Sequence, residues 1–285
     1  SGTIAAIAAG RSGASVLVIE QTGYLGGALT SCGVGPMMTF YAGEKQVIKG
    51  ITDEIISRMV ERGYSPGHIK DTTQYVSYIT PFDSEGLKLV LDEMVAEAGC
   101  DILFHTFIGG VNKENNKISS IKICNKDGLN AIYGKVFIDA TGDGDIAYWA
   151  GAPMVKGRKK DGAMQPMTMK MKFCNVDTDQ LKEFVLNHIT EFPRLVNNVE
   201  ILKSSNHLAL AGFHQAFEKA REAGELSIPR EEVLFFETNN KGEFIINTTR
   251  IINHDATDAF SLSKAEVIGR KQCAELERFL RKYVP

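Results

Sequence analysis

At 285 residues the chain is long enough to bury a substantial core as one or two domains. A net charge of −3 with 24% charged residues gives no electrostatic argument for a nucleic acid or an anionic membrane, and no apolar run approaches the roughly 20 residues a membrane helix needs. Five cysteines (Cys32, Cys100, Cys124, Cys174 and Cys273) are scattered without a C-x-x-C pair, which signals neither zinc nor iron–sulfur ligation and fits free thiols in a reducing cytoplasm.

The first thirty residues, SGTIAAIAAGRSGASVLVIEQTGYLGGALT, carry the most pattern. A small-residue helix is predicted from Gly2 to Arg11, closed by Gly13, and a buried strand over 14–19 ends on Glu20. Gly26 and Gly27 follow. The N-terminus of the first helix in a βαβ unit offers free N–H groups and a favourable dipole to a pyrophosphate. That helix must lie close to its sheet, and Ala5, Ala6, Ala9 and Gly10 supply a small inner face. An acidic residue ending the second strand accepts hydrogen bonds from the adenosine ribose, and it repels a 2′-phosphate. Gly2 fits the third glycine of a G-x-G-x-x-G turn, with Glu20 lying 18 positions on. The first two glycines would precede residue 1, so a missing native N-terminus is expected. The alternative is any α/β protein with a tight helix–strand pair.

The segment SCGVGPMMTF reads as a loop, and 50–62 as an amphipathic helix closed by Gly63. Residues 63–84 look irregular. A second helix is predicted over 84–99, with Leu87, Val90, Leu91, Met94 and Val95 at helical spacing, Ser84 as N-cap and Gly99 as stop. A strand over 100–108 follows, in which His105 is expected to be a satisfied core residue. After an Asn/Lys turn at 112–117, two more strands are predicted, joined by a hairpin turn at Asp127-Gly128. The second of these runs through Phe137 to Ala140 into the turn Ala140-Thr141-Gly142-Asp143-Gly144-Asp145. Asp143 or Asp145 would also serve as a cap for the helix after it.

The small-residue helix, Glu20, Gly26-Gly27 and the ATGDGD turn together resemble the FAD-dependent oxidoreductases of the glutathione-reductase-like superfamily. The likeness is to flavoproteins distantly similar to fumarate reductase flavoproteins and to the flavin subunit of heterodisulfide reductase. It covers 1–40 and 85–152 well. The resemblance implies FAD held by Gly2, Glu20, Gln21, Gly26, Gly27, Ile108 (through its backbone, near adenine), Ala140, Thr141, Gly142 and Asp143. It also implies that the loop after Gly27 runs along the flavin. That would bring Cys32 near the redox centre, against the alternative of a small buried residue. With a single cysteine there, a dithiol mechanism is disfavoured.

Past 152 the character changes. The basic run Lys156, Arg158, Lys159 and Lys160 reads as a solvated loop. Met167, Met169, Met171 and Phe173 alternate with polar residues as a one-sided strand facing a core. Helices are predicted over 179–187 and 207–223, then strands over 233–252. His207 and His214 would share a helix face two turns apart, too far for one metal ion. A last helix within 255–284, opened by a Ser263/Glu266 capping box, is expected to pack back on the first domain. No glycine-rich closing segment follows, so the C-terminus also reads as truncated.

The fold class expected is α/β: a Rossmann-like FAD-binding domain with a β-meander, formed by 1–152 and 255–285 with 41–84 as an excursion, and a second mixed α+β substrate or cap domain at 153–254. The function expected is flavin-mediated hydride or electron transfer on an unidentified small molecule, with no nucleic acid, membrane span or metal. A cofactor-free fragment of such a protein, or an NAD-binding dehydrogenase, are the alternatives. Arg250 and His254 are the candidate catalytic pair, an arginine fork for a carboxylate beside a proton shuttle. Arg250 would otherwise bridge to Asp255 or Asp258.

Overall fold

The computed structural model describes residues 1–284. In chain order the first half runs α1 (Gly2–Arg11), β1 (Leu17–Ile19), α2 (Ala28–Ser31), β2 (Tyr41–Ala42), β3 (Lys45–Gln46), α3 (Ile51–Glu61), β4 (Ile69–Lys70), β5 (Tyr78–Ile79) and α4 (Ser84–Glu97). There follow β6 (Asp101–Leu103), β7 (Phe107–Glu114), β8 (Lys117–Asn125), β9 (Gly128–Tyr133) and α5 (Asp145–Trp149). The second half holds β10 (Met171–Phe173), α6 (Thr178–Asn187), α7 (Val199–Ser204), β11 (Ala209–Gly212), α8 (His214–Glu222), β12 (Val233–Glu237), β13 (Phe244–Ile246) and α9 (Ala259–Tyr283). The chain divides into two units, one of residues 1–31 and 87–156, the other of 32–86 and 157–285. The architecture is mixed α/β, a Rossmann-like first unit and a second α/β unit.

In the first unit β1 and β6 pair in parallel, Leu17 opposite Asp101 and Ile19 opposite Leu103. Helix α1 can approach this layer because Gly10 has no side chain. A Cβ there would lie 2.4 Å from the Ala98 carbonyl oxygen and 2.6 Å from Cys100 Sγ. Gly10→Ala, which would gain helix propensity in an open helix, is therefore expected to destabilise the protein by about 1–3 kcal/mol as overpacking. A shift in urea midpoint checks the sign. The meander β7-β8-β9 is antiparallel, and its hairpin brings Asn125 opposite Gly128, so the turn residues are Lys126 and Asp127, one position before the Asp127-Gly128 pair expected. Ile121, Ile123 and Ile146 form the core beneath it, with Ile19, Leu103, Ile108 and Phe137 packed around them.

Several local expectations are corrected here. The start of α4 is capped by Asp83, whose Oδ1 accepts from the N–H groups of Glu85 and Gly86, and not by Ser84. Residues 137–140 form no strand. The hydrogen bonds of this stretch go to the turn that follows, and Ile138 is exposed. The expected strand over 100–108 breaks in two at His105, which has φ 51° and is exposed, so it is not a core histidine.

The second unit is built on the antiparallel sheet β10-β13-β12-β11. One face packs on a large cluster that includes Leu210, Phe213, Phe217, Phe235, Phe244, Leu276 and Phe279. The other face carries Ala209, Ala211, Leu234 and Phe236 against Ile79, with Ile69 and Val76 alongside. Residues 63–84 are thus more ordered than the sequence suggests: β4 and β5 form a hairpin, closed by the Asp71 carboxylate accepting from Thr73, Tyr75 and Val76 N–H groups. Thr72 Oγ1 donates to Ala209 O and accepts from Ala209 N, covering that edge of β11.

Two larger corrections belong to this unit. Residues 209–212 are a strand, not the start of a helix, because both faces of LALAG are buried and its apolar run carries no period to separate the two forms. His207 and His214 therefore do not share a helix. Helix α9 belongs to the second unit, not the first, since Leu276 and Phe279 complete its core. Its N-cap is Asp258, which accepts from Ser261 N–H, and not Ser263. The Met stripe faces the core as read, though only Met171–Phe173 form a strand and Met167 makes an isolated bridge to Ile251: Met171 and Phe173 pack on the core, and Met169 lies against Gly269 of α9.

Candidate functional site

The antiparallel run of α1 into β1 brings the helix N-terminus and the strand C-terminus to one end of the first unit. The N–H groups of Gly2, Thr3 and Ile4 have no acceptor within their own helix, and no acidic residue stands in that first turn. A Cβ on Gly2 would lie 3.1 Å from Ala140 Cβ. The helix start and the ATGDGD turn, some 140 residues apart in sequence, are thus in contact. Glycine at position 2 permits that approach.

Glu20 follows β1 and its N–H donates to Leu103 O, so the parallel pair sets its place. Its Oε1 accepts from Thr22 N–H at 2.9 Å and from Thr22 Oγ1 at 3.0 Å. The side chain is thereby held in one orientation, half-buried, with Oε2 left for a further donor. Gln21 is exposed beside it. His105 donates its N–H to Thr22 O, and its ring crosses Gly23, where a Cβ would lie 2.8 Å from the imidazole. Gly26 (φ 113°) and Gly27 (φ 57°) make the bend before α2, and a Cβ on Gly26 would strike Thr30. The Ile108 side chain packs in the core, so only its backbone is left to serve a ligand.

The ATGDGD turn is organised by a residue that the sequence reading passed over. Asp139 Oδ1 accepts from Thr141 N–H at 3.0 Å and Thr141 Oγ1 at 2.7 Å, while Oδ2 accepts from Ala147 N–H at 2.8 Å. Thr141 Oγ1 in turn accepts from Asp145 N–H. The cap of α5 therefore comes from Thr141 and Asp139, and neither Asp143 nor Asp145 provides it. The D-x-T spacing is a local Asx signal that could have identified it. Gly142 and Asp143 remain exposed, and Ala140 and Thr141 flank Gly2's contact.

Burial pushes the Asp139 carboxyl up, but the donors of Ala147 and Thr141 outweigh it and hold its pKa below the ordinary value. A folded pKa below the unfolded one means that the unfolded chain binds more protons in acid. The stabilisation is then fully present above the ordinary pKa of about 3.9 and is lost as pH falls through the lower folded value. Asp139→Asn is expected to flatten this acid-side slope, read as urea midpoints between about pH 6 and about pH 3.

In the second unit Arg250 and His254 each make hydrogen bonds to α9. His254 Nδ1 lies 3.2 Å from Ser261 Oγ in the first turn of α9. The Arg250 backbone is clamped by Gln272, which accepts from its N–H and donates to its carbonyl. The Arg250 side chain lines a cavity of about 600 Å³ with Arg221 and Arg230. Asp258 serves as the α9 cap. His214 bonds to Glu232. Cys32 is exposed rather than buried. The basic run 156–160 is exposed, with Arg158 paired to Asp161, as a solvated loop would be. Among the described residues no group of three His, Cys, Asp or Glu could hold a metal ion, and no helix is long and apolar enough to cross a membrane.

Two solved structures share the fold. One is a geranylgeranyl bacteriochlorophyll reductase-like protein from Thermoplasma acidophilum, at 17% identity and TM-score 0.58, covering 99% of this chain and 59% of its own. The other is the flavin-dependent brominase Bmp2, at 13% identity and TM-score 0.51, covering 98% of this chain and 61% of its own. The chain thus spans about three fifths of the length of each. No curated protein matches it. The model of the FAD dependent oxidoreductase family matches residues 1–285, end to end, and the chain belongs to that family.

Proposed function

We propose that the first unit holds the ADP half of FAD and that the whole protein carries out flavin-mediated redox chemistry on a small molecule. The observation that carries the reading is the contact between Gly2 and Ala140, which joins an anion-accepting helix start to the Gly/Asp turn. On this reading the N–H groups at the start of α1 receive the pyrophosphate. Glu20 accepts from the ribose with the oxygen that Thr22 leaves free. Gln21, Gly26 and Gly27 border the nucleotide, the Ile108 backbone lies near adenine, and Ala140 to Asp143 line the phosphate and ribitol side. The residues present fit the group, because the glycines stand where a side chain would close the approach and the one carboxylate facing the sugar is oriented in advance.

Bound flavin would supply hydride and electron transfer; the protein supplies position and field. Within the family, the motif set supports a place in the glutathione-reductase-like superfamily, near the fumarate reductase flavoproteins and the heterodisulfide reductase flavin subunit. The second unit, residues 32–86 and 157–285, is the proposed substrate or cap domain. The test is the absorbance spectrum of the intact purified protein. A flavin band that bleaches with dithionite is expected. A colourless protein that takes up no FAD on titration would overturn the reading.

A further inference from the structure

The cavity of about 600 Å³ in the second unit is lined by three arginines, Arg221, Arg230 and Arg250, and by two carboxylates, Glu231 and Glu232. Its volume lies within the range usual for small-molecule sites. Glu232 offsets part of the charge on Arg230, but three arginines still outnumber two carboxylates. Glu232 Oε1 accepts from Tyr75 Oη at 2.7 Å and faces Arg194 at 3.3 Å, while its Oε2 meets His214 Nε2 at 3.1 Å. Both of its oxygens are committed elsewhere. Glu231 is exposed.

Arg230 is the central group. Its Nε is buried and has no hydrogen-bond partner, and among the described residues its guanidinium forms no ion pair. The residue as a whole is half-buried, and a partly desolvated cation is normally paired. Burial depresses its pKa and the Arg250 charge depresses it further, with Tyr75 and Glu232 offsetting part of this, and an arginine stays cationic at neutral pH. The fold holds the cluster together regardless. Arg221 Nη1 donates to the Arg230 carbonyl at 2.8 Å, and the Gln272 clamp fixes the Arg250 backbone. Like charges kept this close around an open volume are relieved by an anion with several acceptor oxygens.

We propose that this cavity binds a compact dianion, a dicarboxylate or a phosphate, between the guanidinium groups of Arg221, Arg230 and Arg250. The planar forks suit bidentate oxyanions. Excess positive charge favours two negative charges over one. The site lies wholly in the second unit, so its binding does not depend on whether the first unit holds a flavin.

Isothermal titration of the purified chain with succinate and, separately, with inorganic phosphate tests this. Saturable one-to-one binding of at least one is expected, and the tighter of the two assigns the head group. Acetate should bind at least about tenfold more weakly. Arg230→Gln and the exposed Arg250→Gln are each expected to weaken binding about tenfold or more. Arg230→Gln should leave the thermal midpoint of the ligand-free protein unchanged or raised, because a half-desolvated cation that Arg250 repels is removed. The proposal is overturned if neither dianion saturates, if acetate binds as tightly, or if a folded Arg250→Gln protein keeps the parent affinity.

Discussion

Phe279→Ala is expected to destabilise the protein by about 3–5 kcal/mol, the usual cost of emptying a buried aromatic site. Phe279 is 2% exposed in α9. Its ring meets Phe217 of α8 edge-on at 5.5 Å and Tyr283 at 4.9 Å. Phe217 is itself fully buried, so the walls are rigid side chains with little room to collapse into the space. The loss should fall on the second unit, because that is where this helix packs. Urea unfolding followed by tyrosine and tryptophan signals would read it. A change below about 1 kcal/mol, far from the range for buried aromatics, would mean that α9 is not part of this core.

The second large effect concerns ligand affinity rather than stability. Glu20→Ala is expected to weaken FAD binding about ten- to hundredfold, from the loss of charged hydrogen bonds worth about 1.5–3 kcal/mol. The side chain is half-buried and its own fold partners are confined to Thr22. The ligand-free protein should therefore keep its thermal midpoint within a few degrees, as for a substitution outside the core. Titration of flavin fluorescence against parent and variant gives the ratio. Affinities within twofold of each other would remove Glu20 from the proposed site and leave the contact between Gly2 and Ala140 without its sugar-binding partner.

The elements that could be read in advance share one property: their signals are local. Helix α1 runs from Gly2 to Arg11 as its composition suggests, and Gly13 follows in a left-handed conformation. The body of α4 shows its buried stripe at Leu87, Val90, Leu91, Met94 and Val95. The β8–β9 hairpin turns within one residue of the Asp127-Gly128 signal. In each case neighbours within one or two turns specify backbone conformation. The errors arose where two forms satisfy the same local pattern. A two-sided buried strand such as 209–212 has no alternation to distinguish it from an apolar helix. His105, set among apolar residues, looks like a core position until the break between β6 and β7 turns it outward.

The amino-acid sequence by itself determined the chemistry available at the cofactor end: small residues on α1, a carboxylate after β1, and a Gly/Asp turn, each a matter of residue type and short spacing. Only the tertiary structure decided which distant residues meet. It set Gly2 against Ala140, gave α9 to the second unit and gathered Arg221, Arg230 and Arg250 from a helix and two loops around one cavity. An amphipathic pattern states that a face is buried without naming what buries it, and positions of like charge carry no mark in sequence of being held together. That information resides in packing, where the burial of many apolar side chains outweighs the repulsion of a few cations.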